Sequence, residues 1–232
     1  MTRLQLAFDS AKVSEIASSV EELQDLVDIV EIGTPVIIAD GVNAVRVLRS
    51  VFPELAILAD LKIVDGGHLE ASLAFKAGAN IVTVLAVADD STVRQAVRAA
   101  ADYGGEVMVD MMGIRRPRVR ALRVEELGAQ YICLHTAKDA LAAAGSDGKR
   151  SRDAINAARR KSTFSALRGL CSALTSAGSA IAGGITAENA GSIAAMGTNI
   201  IIVGSAITGA LDRRAAAMAV RTALNGRTEA QT

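Results

Sequence analysis

Tryptophan is absent from this chain of 232 residues, and aromatic residues make up only 3% of it. Base-stacking platforms and sugar-stacking grooves therefore have little to be built from. Excess charge is absent too: 25 Lys and Arg face 25 Asp and Glu, so no net field draws the protein to nucleic acid or anionic lipid. Cysteine is scarce. Cys133 and Cys171 stand far apart and form no C-x-x-C pattern, which favours a reduced, intracellular protein. The stretch from Met1 to Asp9 lacks the long apolar core of a secretion signal. The run Ile200 to Val203 breaks at Gly204, far short of a membrane span. The expected compartment is the cytoplasm, and neither nucleic acid nor membrane is an expected partner. No G-x-G-x-x-G follows the first apolar run, which weighs against a dinucleotide-binding sheet.

What is present is a hydrophobic half and a rhythm. Half of the residues are hydrophobic and 22% are charged, enough for a sizeable core and against disorder. Short apolar runs recur and end at Asp9, Gly33, Lys62, Leu85, Asp110, His135, Gly183 and Gly204. Stretches with helical spacing separate them, such as Val42, Val45, Leu48 and Val51, or Val93, Ala96, Val97 and Ala100. Three connections share one pattern: Gly78-Ala79-Asn80, Gly128-Ala129-Gln130 and Gly197-Thr198-Asn199, each launching the next apolar run. A glycine closing a helix in the left-handed conformation explains each, and the recurrence is an internal repeat. Six of the seven steps between run ends are 21 to 29 residues, the length of one βα unit; the step from His135 to Gly183 is 48. Eight strands alternating with helices predict an α/β fold, a single-domain (β/α)8 TIM barrel over residues 1–232, with an extended sixth βα connection around 139–178.

Chemistry in such a barrel sits at the C-terminal strand ends. The polar residues expected there are Asp9, Glu31, Asp60, Lys62, Asp65, Asp110 and His135. Asp60-Leu61-Lys62-Ile63-Val64-Asp65 reads D-x-K-x-x-D at the end of the apolar run Ala56 to Ala59. Alternation places Asp60 and Lys62 on one face, and Asp65 follows where Gly66-Gly67 let the chain turn. A salt-bridged strand end is the bland account. Desolvating these groups beside a core is costly, which favours a catalytic cluster. Asp9 and Asp110 could each be a helix cap alone. Glu31 lies inside Ile29-Val30-Glu31-Ile32, where a structural residue would be apolar. With Asp60 it offers hard oxygen ligands from neighbouring strands, suited to magnesium, with manganese as substitute, and not to zinc. His135 can move a proton near neutral pH, whereas His68 reads as a solvated helix start. Gly183-Gly184 and Gly204-Ser205 end the seventh and eighth runs, where backbone N–H groups commonly hold a phosphate. Arg115-Arg116-Pro117-Arg118 reads as a solvated helix entrance that could also touch an anion.

These residues together resemble the 3-hexulose-6-phosphate synthase family of the orotidine monophosphate decarboxylase suprafamily. The stretches that carry the likeness run from Leu4-Gln5-Leu6-Ala7-Phe8-Asp9 through Val30-Glu31-Ile32-Gly33-Thr34-Pro35, Asp60 to Gly67, Val109-Asp110-Met111, His135-Thr136 and Ala182-Gly183-Gly184-Ile185 to Val203-Gly204-Ser205-Ala206-Ile207-Thr208. The resemblance implies a homodimer in which Asp65 reaches into the partner's site, and magnesium at Glu31 and Asp60. It implies condensation of formaldehyde with D-ribulose 5-phosphate to D-arabino-hex-3-ulose 6-phosphate through a magnesium-stabilised enediolate. Catalytic roles are then expected for Lys62, Asp65, His135, Asp60 and Asp9, and substrate-binding roles for Asp110, Gly183, Gly184, Gly204 and Ser205. The related 3-keto-L-gulonate-6-phosphate decarboxylases typically carry Glu at the place of Asp110, and Arg at the places of Lys138 and Ser205; this chain departs at all three, and Lys138 also differs from the usual synthase residue. A sugar-phosphate-binding protein without catalysis is the non-enzymatic alternative, against which the intact cluster argues.

Overall fold

The computed structural model describes residues 1–9, 12–137, 139 and 163–226. Eight strands form a closed parallel barrel in sequence order: β1 Arg3–Phe8, β2 Ile29–Ile32, β3 Ala56–Ile63, β4 Ile81–Leu85, β5 Glu106–Asp110, β6 Tyr131–His135, β7 Gly178–Ala182 and β8 Ile200–Val203. The β1–β8 pairing, Arg3 opposite Ile200 through Leu6 opposite Val203, closes the ring. Helices join successive strands, as the TIM-barrel expectation required. Most of the expected long sixth connection, and Lys138 with it, lies outside the described residues; residues 163–171 are helical.

Alternation along each strand divides the core in two. Leu4, Leu6, Val30, Ile32, Ile57, Ala59, Val107, Val109, Ile132 and Leu134 face the helices in one large apolar cluster. Ile29, Leu58, Ile81, Met108, Cys133, Ala180 and Ile200 fill the barrel interior. On four strands the inward residue two positions later is polar: Ile29 precedes Glu31, Leu58 precedes Asp60, Met108 precedes Asp110 and Cys133 precedes His135. A polar rim thus stands on a dry floor.

The internal repeat has a structural meaning at the other end of the barrel. Gly78, Gly128 and Gly197 have φ of 104°, 94° and 88°, the left-handed turn expected of them. Two residues on, an amide side chain caps the neighbouring strand. Asn80 Oδ1 accepts from Ile57 N, Gln130 Oε1 from Val107 N and Asn199 Oδ1 from Ser179 N. Asp28 Oδ2 does the same for Leu4 N. In all four, the capping residue's own N–H returns a bond to the carbonyl of the residue it caps. Strands β1, β3, β5 and β7 each have their second residue clamped in this way, so no backbone donor is orphaned there.

Candidate active site

The C-terminal ends of β2 to β6 carry the rim. Glu31, Asp60, Lys62, Thr83, Asp110 and His135 line one pocket floored by Met108, Cys133, Ala182 and Ile202. Five of the seven expected rim residues meet here. Asp9 is the first residue past β1 and is exposed, near enough to Glu31 for its charge to be felt there. Asp65 is exposed, accepts a hydrogen bond from Gly66 N at 2.7 Å, and lines a separate surface hollow with His68 and Gln95. It does not join Lys62. His68 pairs with Asp102 at 2.9 Å between two helices, so it is held by an ion-pair geometry and not by water alone.

Lys62 is the centre of the site. Its Nζ pairs with Asp60 Oδ2 and lies 3.8 Å from Asp110 Oδ2. Regular alternation was expected to place it beside Asp60. The two do meet, but not through regular alternation: the β3–β4 register slips between Ala59 and Ile63, and Lys62 has φ of 49°, the one non-glycine residue in the left-handed region among the described residues. Strain of this kind clusters at functional sites. Burial pushes the Lys62 pKa down, but the charge and hydrogen bond of Asp60, with Asp110 and Glu31 behind it, lift it above the usual lysine range. The ammonium therefore stays charged at neutral pH.

Asp60 is 5% exposed and fully engaged. It accepts from Thr83 Oγ1 at 2.7 Å and from Thr34 Oγ1 at 2.8 Å, besides Lys62. Burial pushes its pKa up; Lys62 and the two hydroxyls outweigh that and hold it below the usual carboxylate range. Glu31 is the opposite case. Burial and the charge of Asp60 push it up to about 8, outweighing a hydrogen bond from Gln5 Nε2 and the charge of Lys62. Gln5 is completely buried in the apolar floor layer, level with Ile29, and its Oε1 has no hydrogen-bond partner among the described residues. Asp110, 3% exposed, accepts from His135 Nδ1 at 2.7 Å and from Met112 N at 2.8 Å. An acceptor at Nδ1 fixes the imidazole proton there and leaves Nε2 as the ring's proton acceptor.

The donor set suits a magnesium-like cation. Two carboxylates, Glu31 and Asp60, stand on adjacent strands and line the same pocket, and crowding with Asp60 raises the Glu31 pKa, a repulsion that a cation would relieve. Among the described residues no three carboxylate, His or Cys side chains are set to ligate a metal. Magnesium is commonly held by one or two carboxylates, with water and substrate oxygens as the rest.

Gly183 and Gly184 follow β7 with φ of 97° and 71°, and Gly204 and Ser205 follow β8. A Cβ at Gly183 would lie 2.5 Å from the Thr136 carbonyl oxygen. Only glycine fits at 183, where the loop after β7 presses on the loop after β6. Sequence reasoning missed Gln5, Thr34 and Thr83, each of which holds a rim carboxylate. For Gln5 and Thr83 a polar residue inside an apolar strand was the available signal, as it was for Glu31; Thr34, the first residue of the helix after β2, carried no such signal.

The family model described as "Orotidine 5'-phosphate decarboxylase / HUMPS family" matches residues 2–220. The chain is similar to the 3-hexulose-6-phosphate synthase of Bacillus subtilis, 38% identical over 90% of this chain and 92% of that one. It is similar to the enzyme of the same name from Mycobacterium gastri, 35% identical over 96% of this chain and 99% of that one. The crystal structure of the 3-hexulose-6-phosphate synthase of Salmonella typhimurium superposes with a TM-score of 0.85 at 36% identity, covering 97% of this chain and 99% of that one. The 3-keto-L-gulonate-6-phosphate decarboxylase of Vibrio cholerae has a TM-score of 0.80 at 25% identity, covering 97% and 98%. Among the described residues no helix is long and apolar enough to cross a membrane.

Proposed function

From the premise that this chain belongs to the orotidine 5'-phosphate decarboxylase / HUMPS family, we propose that it is an aldehyde-lyase catalysing the 3-hexulose-6-phosphate synthase reaction. Formaldehyde and D-ribulose 5-phosphate condense to D-arabino-hex-3-ulose 6-phosphate. The observation that carries this reading is the linked row Asp60, Lys62, Asp110 and His135, a charged ammonium and a proton acceptor joined through one buried carboxylate.

Ribulose 5-phosphate must lose a proton from the carbon beside its ketone. His135 Nε2 takes it, while Asp110 fixes the ring's tautomer and orientation. The charge left on the enediolate oxygens is met by the Lys62 ammonium, already in place and already partly desolvated. The carbon then attacks formaldehyde, and the new alkoxide gains a proton. Backbone groups at Gly183, Gly184, Gly204 and Ser205 hold the phosphate and so fix the reacting carbon. Asp9 orients sugar hydroxyls. Glu31 and Asp60 would hold magnesium, which when bound supplies further positive charge beside the reacting oxygens.

We also propose a homodimer. Val64, Leu69 and Leu73 are 56%, 68% and 50% exposed, an apolar surface beside Asp65 that suits burial against a second copy. Asp65 then serves the partner's site. The decarboxylase reading shares the intermediate, but Asp110 and Ser205 depart from the residues that those enzymes typically carry. Purified protein with magnesium is assayed on ribulose 5-phosphate plus formaldehyde, beside 3-keto-L-gulonate 6-phosphate. Condensation without decarboxylation is expected; the reverse would replace this reading.

A further inference from the structure

We propose that Thr83 is a positioning residue for Lys62, and that its one hydroxyl sets both ends of that side chain.

Where β3 meets β4, Ala59 stands opposite Val82 and Ile63 opposite Val84. Four steps of β3 therefore run against two of β4, and Thr83 is the β4 residue between the two pairings. The surplus length of β3 bulges, and Lys62 takes its left-handed turn there. A non-glycine residue in that region costs about 1–3 kcal/mol and persists only where its surroundings over-determine it. The bulge also removes the ladder partner of the Lys62 N–H. Thr83 Oγ1 replaces that partner, accepting from Lys62 N at 2.9 Å. The same hydroxyl donates to Asp60 Oδ1 at 2.7 Å. Both roles are fixed by chemistry, because a backbone N–H can only donate and an ionised carboxylate can only accept. Asp60 in turn holds Lys62 Nζ. The result is a closed ring from the lysine's backbone, through Thr83 and Asp60, to the lysine's own ammonium.

Thr83 is 4% exposed and sits in the run Ile81, Val82, Val84 and Leu85. If it served only to pack a strand, valine would replace it without harm, having the same shape and the same restricted χ1. The ring predicts otherwise: valine can neither accept from Lys62 nor donate to Asp60, whereas serine can do both.

The kinetic arm of the test rests on the proposed condensation; the structural arm does not. Thr83→Val, Thr83→Ser and wild type are compared for kcat and KM with ribulose 5-phosphate and formaldehyde, and for the position of Lys62 in crystal structures. A misplaced reacting group can cost on the order of a hundredfold, so Thr83→Val should lower kcat about 10- to 100-fold. Its KM should stay within about threefold, since the phosphate is held elsewhere. Thr83→Ser should recover most of the rate. In Thr83→Val crystals Lys62 should leave the left-handed region or lose Asp60. If Thr83→Val does not fold, Thr83→Ala supplies the same comparison. Wild-type kcat in the hydroxyl-free variant, or a loss with Lys62 unmoved, overturns the proposal. If wild type itself does not condense the two substrates, the functional reading falls, and Lys62's position in the paired crystals still decides the role of Thr83.

Discussion

Replacing Glu31 with glutamine should make the metal-free protein more stable at alkaline pH, and the structure sets the size and the sign. Burial and the Asp60 charge raise Glu31 to about 8, against an ordinary value of 4.5. The folded state therefore holds a proton that the unfolded chain has released anywhere between those two values. Stability must fall as pH rises through that window. A single proton gives a slope of about 1.4 kcal/mol per pH unit, so roughly 2–3 kcal/mol should be lost between about pH 6 and about pH 8, levelling off above. Asp60 acts with the opposite sign. Its pKa is depressed below 3.8, so its contribution is complete above that value and is lost only in acid. The Cys133 thiol is pushed well above 9 by burial and by Asp110, Glu31 and Asp60, which places its effect beyond the window. Urea unfolding in chelator, at several pH values, reads the slope from the midpoints at constant m. Glu31→Gln should flatten it. Equal slopes in wild type and Glu31→Gln would show that Glu31 is not the group holding the proton. With excess magnesium the wild-type loss should vanish, because an ion on Glu31 and Asp60 replaces the proton and stabilises the folded state by mass action.

Other consequences can be checked independently. Chelation should abolish turnover, and magnesium or manganese should restore it; full activity in excess chelator with no metal by elemental analysis would refute the metal assignment. Mixing Asp65→Ala subunits with Lys62→Ala subunits should restore activity in about a quarter of the sites, because a heterodimer holds one site with neither change; a working monomer by sedimentation would exclude that arrangement. Asn80→Ala and Asn199→Ala each orphan a strand N–H, Ile57 and Ser179, and should each cost about 1–3 kcal/mol by chemical denaturation, adding in the double variant; a cost near zero would mean that water replaces the cap.

The barrel was legible because its signals repeat. Apolar runs ending in polar residues, and the Gly-x-Asn or Gly-x-Gln launch, mark every second strand with the same physics, so errors at one unit are corrected by the next. The rim was legible for a related reason: Glu31 and Asp60 break apolar runs where burying charge is costly. What alternation could not convey was the β3 bulge. Nothing in Asp60-Leu61-Lys62-Ile63 announces a left-handed lysine, since the cause lies in the register with β4 and in a threonine hydroxyl 21 residues away. Gln5 breaks its apolar run as Glu31 does, but what it holds could not be read from the run, because its role exists only where β1 and β2 lie side by side. Asp65 shows the converse limit. Its spacing suggested a cluster with Lys62, yet it lies past the end of β3, exposed and lining a separate hollow.

Proton exchange at the substrate carbon tests the central claim most directly. Wild-type protein with ribulose 5-phosphate in deuterated water, without formaldehyde, should exchange the carbon-bound proton, since exchange needs only the enediolate. Lys62→Ala removes the charge that holds that anion, and losing one such partner costs roughly 3–4 kcal/mol, a hundredfold to a thousandfold in rate. NMR should therefore show rapid loss of the substrate proton signal in wild type and near silence in Lys62→Ala, with ribulose 5-phosphate still bound. Exchange by Lys62→Ala at the wild-type rate would contradict the account.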